Sequence, residues 1–149
     1  MTISDPRRWG GAPMKVLIVD DEPFLGELVK LALEADGHEC FAVAGLDEAS
    51  ELLRSVPIDL VSLDLVAEGR NPLVWLEEKI LAYPKLRGRA FILTDRALEL
   101  DEAARLLASG ARVIEKPFTL SQMREAVRTM SSMSARPPSP GPRGPALEI

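Results

Sequence analysis

Five short aliphatic and β-branched runs alternate with five segments of helical spacing, and this alternation leaves the chain very few ways to fold. The runs are KVLIV (15–19), ECFAV (39–43), DLVSL (59–63), AFILT (90–94) and ARVIE (111–115). The segments between and after them are PFLGELVKLALEADG (23–37), DEASELLRS (47–55), NPLVWLEEKILAY (71–83), ALELDEAARLLASG (97–110) and TLSQMREAVRTM (119–130). Proline opens the first segment and glycine closes it, the usual asymmetry of helix ends. Asp47 is expected to cap the second helix and Asn71, followed by Pro72, the third. In the last segment Leu120, Met123, Val127 and Met130 recur at helical spacing.

Several of the runs are continuously apolar rather than alternating, as expected of strands covered on both faces. Crossover helices make such a sheet parallel, and right-handed crossovers place helices on both sides. The predicted fold is α/β: a flavodoxin-like, doubly wound, five-stranded parallel sheet in the order 2-1-3-4-5. With 149 residues the chain is long enough for one domain with a real core. That domain is expected over residues 14–132. Residues 1–13 read as a flexible leader, with Met14 either the initiator or the first ordered residue. Residues 133–149, dense in proline, read as a disordered tail without an output domain.

Composition narrows the function classes. A formal net charge of −5 argues against direct nucleic-acid binding. A single cysteine, Cys40, excludes an internal disulfide and a cysteine-based zinc site. No apolar run is long enough to span a bilayer and the N-terminus has no secretory h-region, so a cytoplasmic protein without a membrane partner is expected.

The polar residues gather where the fold would bind a ligand. In a parallel sheet every strand's carboxyl end points to one edge, and ligands sit there, between strands one and three. After strand one come Asp20 and Asp21, and after strand three comes Asp64. Strand four ends in Thr94, and Lys116 with Pro117 follows strand five. Three clustered carboxylates raise one another's pKa, and a hard divalent cation such as Mg²⁺ relieves that repulsion. Lys116 offers a point charge for a phosphoryl oxygen, and Thr94 offers a hydroxyl. A carboxylate nucleophile, a metal, an ammonium and a hydroxyl are the parts that form an aspartyl phosphate. Individually these residues have plainer readings: acids at a helix start, or a turn after a strand.

Together, VLIVDDEP, Asp64, FILT and VIEKPF resemble the receiver domain of bacterial two-component response regulators, over residues 14 to about 130. The resemblance implies a stand-alone, CheY-like signalling domain rather than an enzyme. Asp64 would be the phosphoacceptor. Asp21, Asp64 and the carbonyl of Val66 would hold Mg²⁺, with Asp20 acting mainly through water. Thr94 and Lys116 would grip the phosphoryl oxygens, and the Lys116–Pro117 bond would be cis. The implied partners are a sensor histidine kinase or a histidine phosphotransfer protein, and a downstream protein target. That target would be bound around helix four, strand five and helix five.

The sequence departs from the family at four places. Glu68 stands where proline is usual and Pro72 where glycine is usual. Asp95 replaces a small residue after Thr94, and Val113 replaces an aromatic. These departures motivate an alternative, an interaction module that is not switched by phosphate. A haloacid-dehalogenase-like phosphatase would need an Asp-x-Asp motif after strand one, which VDDEP lacks, and no glycine-rich nucleotide motif follows that strand. His38 is expected at the surface, Cys40 as a buried small hydrophobe and Trp75 in the packing of helix three.

Overall fold

A computed structural model describes residues 12–66 and 70–135. Its five strands are β1 (Lys15–Val19), β2 (Glu39–Val43), β3 (Leu60–Asp64), β4 (Ala90–Thr94) and β5 (Arg112–Glu115). They pair in parallel in the order β2-β1-β3-β4-β5, as the alternation predicts. The helices are α1 (Pro23–Ala35), α2 (Leu46–Ser55), α3 (Pro72–Ala82), α4 (Leu100–Ser109) and α5 (Leu120–Ala135). Glu68, and most of the expected leader and tail, lie outside the described residues.

The strand period divides the core into two layers. Leu17, Val19, Val61, Leu63 and Ile92 meet α2, α3 and α4 on one face. Val16, Ile18, Leu60, Phe91 and Leu93 meet α1 and α5 on the other. Trp75 is fully buried in the first layer, and its indole N–H donates to Ser50 Oγ at 2.9 Å, tying α3 to α2. Cys40 is buried in the second layer, where desolvation pushes its thiol up to about 12. Met123, Val127 and Met130 of α5 are buried beside it, so the helical spacing marked the correct face.

Three helices depart from the sequence expectation, α2 and α4 for a local reason. Helix α2 starts at Leu46, and Asp47 lies in its first turn instead of capping it; the N-cap is Gly45, and the Glu48 carboxylate accepts the Ala44 N–H at 3.0 Å. Helix α4 starts at Leu100, three residues after the expected Ala97, because Glu102 accepts the Glu99 N–H at 2.9 Å and fixes the helix start there. Helix α5 runs on past Met130 to Ala135. Asn71 does cap α3, its side chain accepting from Leu73 N at 2.9 Å and Val74 N at 3.3 Å, and Pro72 fits the first helical position.

His38 is also not simply a surface residue. It is half-buried, and its Nδ1 accepts the Met14 N–H at 3.0 Å where the chain enters β1. Burial lowers its pKa, against the smaller opposing charge of Asp36. The neutral ring makes this bond, so its contribution is complete above the ordinary histidine pKa of 6.5 and is lost as pH falls toward the depressed folded value. His38→Asn retains an acceptor that does not titrate. In denaturant unfolding, the parent's stability relative to this variant is expected to fall between pH 7.5 and 5.5, by up to about 1 kcal/mol. An equal gap at both values contradicts the role given to His38.

Candidate functional site

The register of the sheet brings the polar strand ends to one edge. Asp64 lies opposite Leu93, and Thr94 opposite Glu115. Backbone bonds continue the ladder past the strands: Asp20 N to Val43 O at 3.0 Å, Leu65 N to Leu93 O at 2.9 Å and Lys116 N to Thr94 O at 2.7 Å. The side chains that follow these strands are therefore carried on a rigid frame. The peptide bond between Lys116 and Pro117 is cis.

Asp64 is 1% exposed. Its Oδ2 accepts from Lys116 Nζ at 3.1 Å, and its Oδ1 accepts the Val66 N–H at 3.1 Å. A cation and a backbone donor thus compensate the carboxylate that ends this apolar strand. Asp20 is also buried, and its Oδ1 accepts the Glu22 N–H at 2.8 Å. Desolvation, together with the neighbouring Asp64 charge, raises the Asp20 pKa to about 6, although the Glu22 N–H and Lys116 oppose the shift. Burial alone would lower the Lys116 pKa. The hydrogen bond to Asp64 and the charges of Asp64, Asp20 and Asp95 outweigh it and raise that pKa instead.

Asp21 is exposed at the mouth. One carboxylate oxygen from each of Asp20, Asp21 and Asp64 lies within 4.8 Å of the others. The donor set is oxygen-only, anionic and half-dry, which suits a hard divalent cation such as Mg²⁺. Val66 is held beside the cluster by its N–H bond to Asp64. An open pocket of about 580 Å³ lies over the group, lined by Asp21, Glu22, Leu25, Asp64, Val66, Asp95, Lys116, Pro117 and Phe118. Asp95 thus adds a negative charge to the rim. Thr94 reaches the same edge, but its hydroxyl donates to the Arg96 carbonyl at 2.9 Å and accepts the Arg96 N–H at 3.2 Å.

Sequence reading therefore located the carboxylates, Thr94, Lys116 and Asp95. It missed Arg96 and Glu102, which form a two-pronged ion pair beside the site at 2.9 and 2.8 Å. Residues six apart are not neighbours on a helix and would lie about 20 Å apart on a strand, so no pattern announces the contact.

A family model described as the response regulator receiver domain matches residues 16–128. The probable transcriptional regulatory protein TcrX of Mycobacterium tuberculosis is 32% identical over 117 residues, covering 78% of this chain and 49% of that protein. The chemotaxis protein CheY of Treponema pallidum is 30% identical over 125 residues, covering 80% of this chain and 84% of that protein. The chain thus spans about half the length of the curated transcriptional regulators that it matches. Among solved structures, a response regulator from Thermotoga maritima matches with a TM-score of 0.70 at 29% identity, covering 81% of this chain and 99% of that one. A CheY-like receiver domain from Methanospirillum hungatei shares the fold, with a TM-score of 0.74 at 22% identity over 82% of this chain and 96% of that one. Among the described residues, no helix is long and apolar enough to cross a membrane.

The acidic cluster is costly without a cation, and the cost has a pH signature. Asp20 has a folded pKa near 6 against an ordinary 3.8. Its contribution to stability is present below the ordinary value and is lost as pH rises through about 6. With chelator present, Asp20→Asn is expected to be more stable than the parent at pH 7.5, by roughly 1–3 kcal/mol, the gap closing near pH 4. Mg²⁺ is expected to raise the parent's Tm more than the variant's. Thermal unfolding at the two pH values, with and without Mg²⁺, checks both; a variant less stable at pH 7.5 contradicts the repulsion.

Proposed function

The chain belongs to the response regulator receiver domain family, and from that premise we propose that Asp64 accepts a phosphoryl group from a phosphohistidine of a sensor histidine kinase or a histidine phosphotransfer protein. The single observation that carries this reading is the buried Asp64 carboxylate, which lines an open pocket beside Lys116 and is clustered with the carboxylates of Asp20 and Asp21. A carboxylate so placed is fixed in orientation and stripped of most of its water, which favours attack on phosphorus.

In the step, a lone pair of the Asp64 carboxylate forms the new P–O bond as the P–N bond to histidine breaks. The departing imidazole keeps the bonding pair and takes up a proton. Lys116 turns its ammonium from the free carboxylate to a phosphoryl oxygen, and Thr94 supplies its hydroxyl to another. Asp20, Asp21, Asp64 and the Val66 carbonyl would hold Mg²⁺, which when bound neutralises the carboxylates and the phosphoryl oxygens together. The acyl phosphate then changes which protein target the domain binds. The exposed side chains of Leu100 and Leu107 on α4 and Val113 on β5 are available for that contact.

Intact-protein mass after incubation with acetyl phosphate and Mg²⁺ tests the reading. The parent is expected to gain one phosphoryl group and Asp64→Asn none. Lys116→Ala is expected to slow the gain by about two orders of magnitude. Asp95→Ala, which removes a rim charge, is expected to speed it by roughly two- to tenfold at low salt. No gain in the parent with either acetyl phosphate or a phosphorylated kinase contradicts the proposal and favours an interaction module that works without phosphate.

A further inference from the structure

The next step rests on the phosphoacceptor reading above. A hydroxyl has a single proton to donate, and Thr94 gives it to the Arg96 carbonyl at 2.9 Å. To donate to a phosphoryl oxygen on Asp64, Thr94 must let that carbonyl go. Arg96 cannot drift away alone. Its Nη1 and Nη2 donate to the two oxygens of Glu102 at 2.9 and 2.8 Å, and Nη1 also reaches the Ala97 carbonyl at 3.1 Å. Two parallel bonds of this kind fix direction as well as distance.

Glu102 in turn belongs to the first turn of α4 and accepts the Glu99 N–H that starts the helix. The hydrogen bond from Arg96, with the Glu99 N–H, holds the Glu102 pKa at about 2. The ion pair is therefore intact throughout the neutral range. Helix α4 carries Leu100 and Leu107, 88% and 83% exposed. A shift of its first turn changes the apolar surface that the domain presents.

We propose that Arg96 and Glu102 are positioning residues that couple the Thr94 hydroxyl to the start of α4: when Thr94 turns to a phosphoryl group on Asp64, its bond to Arg96 opens and the Arg96–Glu102 fork moves the first turn of the helix. The route is polar and local. It runs through side chains and backbone within one loop, and it does not use Val113.

Hydrogen–deuterium exchange on the full chain, with and without Mg²⁺ and beryllofluoride, tests the coupling, with bound fluoride followed independently by ¹⁹F NMR. In the parent, exchange is expected to change both in the loop 95–98 and in the first α4 turn, 100–104. Glu102→Gln keeps an acceptor for the helix start but removes the charge from the fork. Arg96→Ala removes the fork and leaves Glu102 in place as the cap. Both variants are expected to bind fluoride and keep the loop response, while the α4 response shrinks by roughly threefold or more. An α4 response of parental size in both variants, or none in the parent, overturns the coupling and leaves the phosphoacceptor reading standing. No bound fluoride in the parent overturns both.

Discussion

The ion pair between Asp64 and Lys116 is the contact on which the site depends. Its partners come from β3 and from the turn after β5, so it reaches across the end of β4. The Asp64 side chain is 2% exposed and that of Lys116 20%. Removing one partner from such a pair leaves a charge buried without compensation, a cost of several kcal/mol. The rest of the edge follows from satisfying that carboxylate. Lys116 is brought over by a backbone bond to Thr94. The chain after β3 turns so that the Val66 N–H meets the other oxygen of Asp64.

The pair does not settle the whole cluster. One ammonium faces Asp64 and the charges of Asp20 and Asp95, and Asp20 retains a pKa near 6. The site thus carries an excess of negative charge, arranged in oxygen donors within reach of a single cation. This is an arrangement suited to ligand-dependent change, because the repulsion among the carboxylates is of a kind that a bound cation would relieve. The helices around it are tied by contacts of another kind. Arg105 forks onto Glu77 between α4 and α3, and Arg124 onto Asp36 between α5 and the end of α1.

Much of this was legible in the sequence because it is written in short-range patterns. Apolar runs and helical spacing gave the strands and the buried faces, and the parallel topology then brought Asp20, Asp64, Thr94 and Lys116 to one edge. What was not legible depends on side chains choosing partners after the fold has formed. Asp47 looks like a cap, but Gly45 holds that position. Ala97 and Leu98 have good helix propensity, yet α4 waits for the Glu99–Glu102 cap. His38 has no companions in sequence, and its partner is the Met14 N–H, 24 residues away. Arg96 looks like an ordinary loop cation until Thr94 and Glu102 are seen on either side of it.

Asp64, and no other carboxylate in the cluster, is proposed to form the acyl phosphate. The most direct measurement is borohydride reduction of protein treated with a phosphodonor and Mg²⁺, followed by tandem mass spectrometry of the peptides. Borohydride reduces an aspartyl phosphate to homoserine and leaves ordinary carboxylates untouched. Homoserine is expected at position 64 alone, dependent on donor and Mg²⁺. Homoserine at position 20 or 21, or a parent that takes up phosphate and shows none at 64, contradicts it.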